Sequence, residues 1–385
     1  MTPLSQTRDL LGHLIGYPTV SPDSNLAMIS DLANRLESVG ARVDVFHDDT
    51  GAKANMFATL GPDVAGGIVL SGHSDVVPVT DQDWQSDPFE MVECGGRLFG
   101  RGACDMKGFI AASVVMAERY AALDLKRPVH FAFTYDEETG CVGARHLVPA
   151  LKAKGYAPGI AIIGEPTEMR VIEGHKGCCE YTARFTGLEG HGSNPGAGVN
   201  AAEYAVRYVS RLLELRGDLM ARVPADSKFD PPWTTLNIGR IAGGVAHNVI
   251  VGKAEVDWEM RPVQQSDLTY VKRAISEYIE DDLLPAMRQV CPDADIKVET
   301  MGEVAGLEPM TENAARDLVA GLLGSNGADL VPFGTEAGLF QEMGMDVVVC
   351  GPGSIAQAHK PDEFVSLDQL DACLGMLDRL GEKLI

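Results

Sequence analysis

Short apolar runs that end in a histidine or an acidic motif constrain this chain more than any other feature of its sequence. Each run has the length of a strand, and four of them cover residues 67–72, 128–135, 160–163 and 346–350. Segments with helical periodicity, such as residues 106–120, lie between the runs. Strands that alternate with helices predict an α/β domain whose functional loops follow the carboxyl ends of its strands. We expect a three-layer α/β/α arrangement around a mixed sheet.

The middle of the chain has a different pattern. From residue 178 a strand, a long amphipathic helix, two strands and a second helix follow one another, and a further strand is predicted at residues 295–300. This order is typical of a small α+β, ferredoxin-like domain. We therefore predict an inserted domain at residues 178–292, within a domain formed by residues 1–177 and 293–385.

Composition excludes several classes of partner. The 385-residue chain carries a formal net charge of −23, and its acidic residues are spread along its length. Nucleic acids and anionic membrane surfaces need a basic patch, so neither is an expected partner. Eight cysteines without a CxxC pair indicate reduced thiols rather than a disulfide scaffold or a thiolate zinc site. No signal peptide is evident, so a cytoplasmic protein is expected.

Six short motifs bring histidines and acids together in an order typical of a two-metal hydrolase. They are HSD at 73–75, GACDMKG at 102–108, DEETG at 136–140, GEPT at 164–167, HGS at 191–193 and AHKPDE at 358–363. Mixed imidazole and carboxylate ligands suit zinc or a neighbouring divalent metal. One motif alone would be weak evidence, but the ordered set predicts a dinuclear centre.

The first two motifs offer ligands with defined alternatives. His73 and Asp75 lie two residues apart at a strand end, so their side chains point the same way. His73 can then bind a metal while Asp75 accepts a hydrogen bond from the second ring nitrogen; a hydrogen-bonded turn is the alternative. Asp105 precedes a predicted helix, so it either bridges two cations or caps that helix.

Glu137 and Glu138 are adjacent carboxylates after an apolar strand. On an extended segment they would point in opposite directions, so one can bind a metal while the other acts as a general base toward water. A cation also relieves the repulsion that would raise the pKa of such a pair. The alternative is an exposed acidic turn. Glu165 and His359 each offer one more terminal ligand.

With these residues the chain resembles, from end to end, the dinuclear zinc deacylase family. That family contains acetylornithine deacetylases, succinyl-diaminopimelate desuccinylases, aminoacylases and related carboxypeptidases. The segments at 333–338 and 351–365 most resemble the acetylornithine deacetylase branch. The resemblance implies two zinc ions, replaceable by cobalt, and hydrolysis of N2-acetyl-L-ornithine to L-ornithine and acetate in arginine biosynthesis.

The resemblance also implies roles for single residues. The metal ligands would be His73, Asp105, Glu138, Glu165 and His359, with Asp105 shared by both ions. Glu137 corresponds to the catalytic base and Asp75 to the acid that orients a ligand histidine. His191 corresponds to a histidine that crosses a dimer interface to stabilise the oxyanion. The inserted domain is accordingly expected to act as a lid and to form a homodimer.

The residues that select the substrate are less specific. Asn248 and Arg261 correspond to positions that hold the substrate carboxylate, and Gly353 and Glu336 are further candidates for substrate binding. One or more of the acids Glu336, Asp362 and Glu363 is expected to favour a cationic side chain. Two alternatives to the ornithine substrate remain: another N-acyl-amino-acid deacylase or dipeptidase of the same family, and a non-catalytic protein that binds a metal or an amino acid.

Overall fold

The computed structural model describes all 385 residues and divides them into two compact units. The first unit comprises residues 1–174, 309–331 and 335–385, and the second comprises residues 175–308 and 332–334. The predicted boundary at residue 292 is therefore too early. The strand that begins at Asp295 pairs with the first strand of the inserted segment, and this pairing extends the second unit.

Ten α-helices and seventeen strands are numbered here in chain order. The helices are α1 Pro3–Ile15, α2 Leu26–Ser38, α3 Lys107–Ala121, α4 Val142–Ala153, α5 Ala201–Met220, α6 Gln265–Tyr278, α7 Leu284–Arg288, α8 Ala314–Leu323, α9 Ala337–Glu342 and α10 Leu367–Gly381. The strands are β1 Arg42–His47, β2 Ala54–Leu60, β3 Ile68–His73, β4 Val92–Cys94, β5 Arg97–Phe99, β6 Val129–Thr134, β7 Ile160–Pro166, β8 Ile172–His175, β9 Cys178–Thr186, β10 Gly190–His191, β11 Thr235–Gly243, β12 Val249–Ile250, β13 Lys253–Arg261, β14 Asp295–Val304, β15 Asp329–Val331, β16 Asp346–Gly351 and β17 Phe364–Ser366.

An eight-stranded mixed sheet forms the centre of the first unit. Its strand order is β1-β2-β6-β3-β7-β16-β8-β15. The pairs β3–β6, β3–β7 and β7–β16 are parallel, whereas β1–β2, β2–β6 and β8–β16 are antiparallel. Strands β2, β3, β6 and β7 are buried along their whole length, because helices cover both of their faces.

Alternate residues of each buried strand belong to opposite sides of the sheet. Ile68 and Leu70 of β3 lie in one apolar cluster with residues of α1, α2, α3, α8 and α10. Helices α4 and α9 contact each other and strands of the same sheet, and their apolar residues lie outside that cluster. The arrangement confirms the predicted α/β fold with a large mixed sheet.

The second unit contains a four-stranded antiparallel sheet in the order β11-β13-β9-β14. In chain order its elements run β9-α5-β11-β13-α6-β14, which is the ferredoxin-like order. Helices α5 and α6 share one apolar cluster with the sheet, built around Tyr181, Tyr208 and Trp258. The short strands β10 and β12 pair with each other in a separate two-stranded antiparallel sheet.

Two further observations bear on the composition argument. All eight cysteines are unpaired. No helix combines the length and the apolar character that a bilayer span requires.

Candidate metal centre

Three parallel neighbouring strands bring the first set of candidate ligands to one edge of the large sheet. His73 ends β3, Glu165 lies near the end of β7, and Glu137 follows β6 by three residues. Because parallel strands share the edge at which their carboxyl ends lie, the three side chains converge. His73, Glu137 and Glu165 each offer one ligand atom, and these atoms lie within 4.8 Å of one another. His73, Asp105 and Glu138 form a second group, whose ligand atoms also lie within 4.8 Å of one another.

Asp105 faces both candidate histidines, one with each carboxylate oxygen. Its Oδ1 lies 3.0 Å from His73 Nε2, and its Oδ2 lies 3.4 Å from His359 Nε2. His359 Nε2 also lies 3.1 Å from Glu138 Oε1, while His73 Nε2 lies 3.8 Å from Glu165 Oε1. The five predicted ligands are therefore adjacent, with Asp105 between the two histidines as a bridging carboxylate would be.

Asp105 does not cap the helix that follows it. Helix α3 begins at Lys107, Met106 occupies the cap position, and no side chain there accepts a hydrogen bond from the first turn. Of the two roles that the sequence left open for Asp105, its contacts with both histidines agree with the bridging role and not with the cap.

The electrostatics of this group fit divalent cations. Burial raises the pKa of Glu165 well above its ordinary value, and the charge of Asp105 raises it further. Burial likewise raises the pKa of Glu137 and of Glu138. The Oε1 atom of Glu165 is buried and has no hydrogen-bond partner. A buried carboxylate oxygen without a partner, among several like charges, is stabilised by a cation at that point.

Asp75 contacts His73 through a different atom from the one predicted. His73 Nδ1 lies 2.9 Å from the backbone carbonyl of Asp75 and 3.6 Å from its carboxylate, so the carbonyl is the atom that fixes the imidazole. The carboxylate instead accepts the backbone N–H groups of Glu137 and Glu138 at 3.0 and 3.3 Å, and the hydroxyl of Ser21 at 2.8 Å. Asp75 therefore fixes the turn that carries both glutamates.

Glu137 and Glu138 lie in this turn rather than on an extended segment, which corrects the expected local structure. The turn begins at Asp136, whose φ of 52° is in the left-handed region. Lys53 Nζ pairs with the Asp136 carboxylate at 2.6 Å and stabilises that conformation. The two glutamates still take different partners, because Glu138 bonds to His359 whereas Cys141 Sγ donates weakly to Glu137 at 3.5 Å.

Two of the acids expected to contact the substrate side chain have other environments. Glu336 is 1% exposed, and it accepts hydrogen bonds from Ser71 Oγ at 2.5 Å and Thr134 Oγ1 at 2.8 Å. Glu363 is also 1% exposed and pairs with the guanidinium of Arg101. Because both carboxylates are buried and engaged inside the protein, the expectation that they contact a substrate side chain is wrong.

Asp362 and Gly353 are likewise held by the protein. The carboxylate of Asp362 accepts the backbone N–H of Gln85 at 2.9 Å. Gly353 is buried, has a φ of 91°, and donates its N–H to Gln369 Oε1 at 3.2 Å. A Cβ at Gly353 would lie 2.6 Å from Cys104 Sγ, so close packing explains this glycine.

The second unit brings two of its candidate residues together. His191 is exposed on β10, and the N–H of Gly192 donates to the carbonyl of Asn248 at 2.7 Å. The backbone N–H of Ser193 donates to His191 Nδ1 at 3.2 Å. In the neutral imidazole this contact assigns the proton to Nε2, which then points a donor away from the loop.

Arg261 ends β13, where its guanidinium is paired within the chain. Its Nε and Nη2 lie 3.1 and 2.9 Å from Glu259 Oε2. Because Nε and Nη2 both bind a carboxylate oxygen here, the fork that was expected to hold a substrate carboxylate is occupied by an internal partner. Sequence reasoning did not identify this competitor, although an acid two residues away on the same strand face is a readable signal.

Comparisons with known proteins agree with this geometry. The model of Peptidase family M20/M25/M40 matches residues 69–383. An acetylornithine deacetylase of Pasteurella multocida is 34% identical over 375 residues, which cover 95% of each chain. One from Salmonella typhimurium is 35% identical over 359 residues, with 91% of each chain covered.

Solved structures with much lower sequence identity share the fold. An M20 family metallo-carboxypeptidase from Sulfolobus solfataricus has a TM-score of 0.72 at 16% identity, and the match covers 98% of this chain and 99% of that one. A dinuclear metal-binding peptidase of the M20 family from Bacillus subtilis has a TM-score of 0.64 at 15% identity, with 99% and 98% covered.

Proposed function

The chain belongs to Peptidase family M20/M25/M40, and from this premise we propose that it hydrolyses N2-acetyl-L-ornithine to L-ornithine and acetate. The observation that carries the hydrolytic part is Asp105 with one oxygen toward His73 and the other toward His359. The acetylornithine part rests on relatives that are 34–35% identical over more than nine tenths of the chain. We assign the reaction to arginine biosynthesis in the cytoplasm, and the eight unpaired cysteines support a reducing compartment.

The ligand set suits two zinc ions, with cobalt as a substitute. One would be held by His73, Glu165 and Asp105, and the other by Glu138, His359 and Asp105. Neutral imidazoles and carboxylates in this ratio are the ligands that zinc takes in hydrolytic sites. Bound there, the ions supply Lewis acidity toward a carbonyl oxygen and make a water easier to deprotonate.

Glu137 is the proposed general base. It has no ligand histidine within hydrogen-bond distance, whereas Glu138 is committed to His359. Burial raises the pKa of Glu137, so its carboxylate accepts a proton more readily than an exposed glutamate does. It removes the proton from the attacking water and transfers it to the amine nitrogen as the amide C–N bond breaks. Asp75 holds the Glu137 backbone in place throughout.

His191 is the proposed oxyanion donor, acting in the opposite subunit of a homodimer. Its Nε2–H donor and its exposure support this role. The second unit also carries a surface suited to self-association. Val206, Leu213 and Met220 recur every seven residues along α5 and are 59%, 43% and 51% exposed. Helix α5 packs on β11, an edge strand of the four-stranded sheet, and a second copy would cover both features.

Arg261 and Asn248 are the proposed contacts of the substrate α-carboxylate. For Arg261 the substrate must compete with Glu259, and a bidentate carboxylate is the ligand able to do so. No acidic side chain in the first unit is assigned to the cationic end of ornithine, because Glu336 and Glu363 are buried and paired. The preference for a cationic substrate therefore depends on the relatives alone.

A substrate panel with metal-loaded enzyme tests the proposal. N2-acetyl-ornithine, N-acetyl-glutamate, N-succinyl-diaminopimelate and a dipeptide are compared by kcat/KM. We expect acetylornithine to exceed each of the others at least tenfold, which corresponds to roughly 1.4 kcal/mol of transition-state discrimination. Preference for another compound would refute the substrate and leave the two-metal hydrolase. If none of them is hydrolysed while two metals are bound, the proposed hydrolase activity is refuted.

A further inference from the structure

The buried carboxylate of Glu363 accepts hydrogen bonds from the backbone around Asp105, the candidate bridging ligand. Its Oε1 accepts the N–H groups of Cys104 and Asp105 at 2.8 and 3.1 Å. Its Oε2 lies 2.6 Å from Arg101 Nη1, and both side chains are 1% exposed or less. The carboxylate thus fixes the position of the two peptide units immediately before the side chain of the bridging ligand. Asp75 does the same for the turn of Glu137 and Glu138, so a buried carboxylate holds each of these two turns.

A second set of contacts runs from Arg101 to the other histidine ligand. Arg101 Nη2 donates to Gln82 Oε1 at 2.5 Å, and Gln82 Nε2 donates to the carbonyl of His359 at 2.9 Å. Trp84 Nε1 donates to the same Gln82 oxygen at 3.1 Å, which fixes the orientation of the amide. Arg101 Nη1 also reaches the carbonyl of Lys360 at 3.3 Å. Asp105 and His359 are therefore joined by an unbroken hydrogen-bonded chain.

The backbone of His359 needs such support. Its φ is 62°, in the left-handed region that residues other than glycine seldom adopt. A residue persists there only where its surroundings hold it. The Gln82 contact holds the carbonyl of this residue itself, and it does so from a loop far away in the sequence.

General stability is a poor explanation for the Arg101–Glu363 pair. A buried ion pair gains little over a well-packed apolar pair, because both charges lose their hydration. The charge of Glu363 also lies close to that of Asp105, which disfavours it further. What the pair provides is position, since it fixes two backbone segments by charge-assisted hydrogen bonds.

We propose that Glu363, Arg101 and Gln82 form a positioning network that sets the separation of Asp105 and His359. The network thereby sets the affinity for the second metal ion, which is the one that Glu138, His359 and Asp105 would hold. The inference rests on the proposed two-metal centre, and it assigns to these residues no contact with metal or substrate. It replaces the substrate-reading role that the sequence suggested for Glu363.

Metal binding to full-length variants tests the network without using activity. Cobalt(II) is titrated into metal-free protein in the presence of a competing chelator, and both dissociation constants and the d–d absorption spectrum are recorded. We expect Glu363→Gln to weaken the second ion by about 10- to 100-fold, the usual effect of losing an outer partner of a metal ligand. Its spectrum should change, because the geometry around the ion changes. Two unchanged dissociation constants with an unchanged spectrum would overturn the proposal.

Glu173→Gln is the control for the loss of an ion pair at a buried glutamate. Glu173 is 3% exposed and pairs at 3.0 Å with Arg316, whose side chain is 24% exposed, and its strand β8 carries none of the candidate ligands. If the network merely stabilises the fold, Glu173→Gln and Glu363→Gln will affect metal binding equally. We expect the control to lose stability in urea and to keep both dissociation constants.

Gln82→Ala provides a test that does not depend on a buried charge. Its control is Gln85→Ala, on the same loop, whose exposed side chain lies outside the network. We expect Gln82→Ala to weaken the second ion about tenfold and Gln85→Ala to leave it unchanged; equal effects would overturn the proposal. Substrate preference does not enter these measurements, so they stay informative if the acetylornithine assignment fails.

Discussion

Metal binding by this protein should release protons over an unusually wide pH range. In the metal-free site, hydrogen bonds to Asp105 and Glu138 raise the pKa of His359 to about 10, although burial opposes the shift. Burial alone would lower the pKa of His73, yet the neighbouring carboxylates of Asp105, Asp75 and Glu165 raise it well above the ordinary value. The imidazole of His359 therefore carries a proton at neutral pH, and His73 keeps its proton to higher pH than an ordinary histidine does. A histidine must lose that proton to bind a metal.

The size of the effect follows from one proton per ion. Affinity should rise tenfold per pH unit for each ion while its histidine is protonated in the free protein. Between pH 6.5 and 8.5 this amounts to about 100-fold, or roughly 2.7 kcal/mol, for the ion that His359 would bind. A histidine with its ordinary pKa would give a curve that flattens above pH 7. The raised pKa of His359 postpones that plateau to about pH 10, and the affinity is lost progressively as the pH falls.

Calorimetric titration of zinc into metal-free protein measures the protons directly. The titration is run at pH 7.5 in two buffers with different protonation enthalpies, and we expect at least one proton, that of His359, to be released per two ions bound. His359→Gln should reduce the count by one and lower the stoichiometry. His130→Gln is the control, because burial lowers the pKa of His130 to about 4 and leaves it neutral throughout. An affinity that is flat above pH 7, or fewer than one proton released per pair of ions, would refute this account of the site.

Three further outcomes are expected. Glu137→Gln should lower kcat by roughly 10²–10⁴-fold and keep its two metals, measured by turnover and metal analysis; near-normal turnover would remove Glu137 as the base. His191→Ala should also lose turnover, and mixing it with Glu137→Gln under conditions of subunit exchange should restore part of the activity, whereas a fully active monomer would contradict the proposed dimer. Gly353→Ala should lower the free energy of unfolding by about 1–3 kcal/mol, because its Cβ would meet Cys104 Sγ at 2.6 Å. Gly321→Ala, in open space on α8, should raise it by about 0.5–1 kcal/mol, and equal effects of the two alanines in urea would argue against the packing explanation.

The strands that carry the candidate site residues were predictable because their signal is local. The apolar runs before His73, Glu137 and Glu165 have the length of strands. The histidine and the glutamates that follow these runs already indicate metal binding or acid–base chemistry. The mixed sheet followed from the alternation of strands with helices. The helix at residues 3–15 was not predicted, although Thr2 accepts a capping hydrogen bond from Ser5 and Pro3 opens the first turn.

Contacts between distant segments were not predictable. Nothing near Glu363 in the sequence indicates that its partner is Arg101, so an acid beside a metal ligand was interpreted as facing the substrate. Glu336 was misassigned for the same reason, because burial is a property of the packed sheet rather than of the segment that carries the residue. The early boundary at residue 292 has a different cause, because the strand predicted at residues 295–300 already fits the ferredoxin-like order. Its pairing with β9 shows that it belongs to the second unit.

The strand order of the large sheet has a consequence for how the chain reaches its folded state. Strands β7 and β8 follow each other closely in the sequence, yet β16 lies between them in the sheet. A chain made from its N-terminus must therefore complete the entire second unit while β7, buried along its whole length in the finished sheet, still has an open edge. Unpaired apolar edges recruit other chains. Overproduction without enough chaperone should thus yield aggregates seeded at residues 160–166, and a nascent chain truncated before Asp346 should be the species that chaperones hold longest.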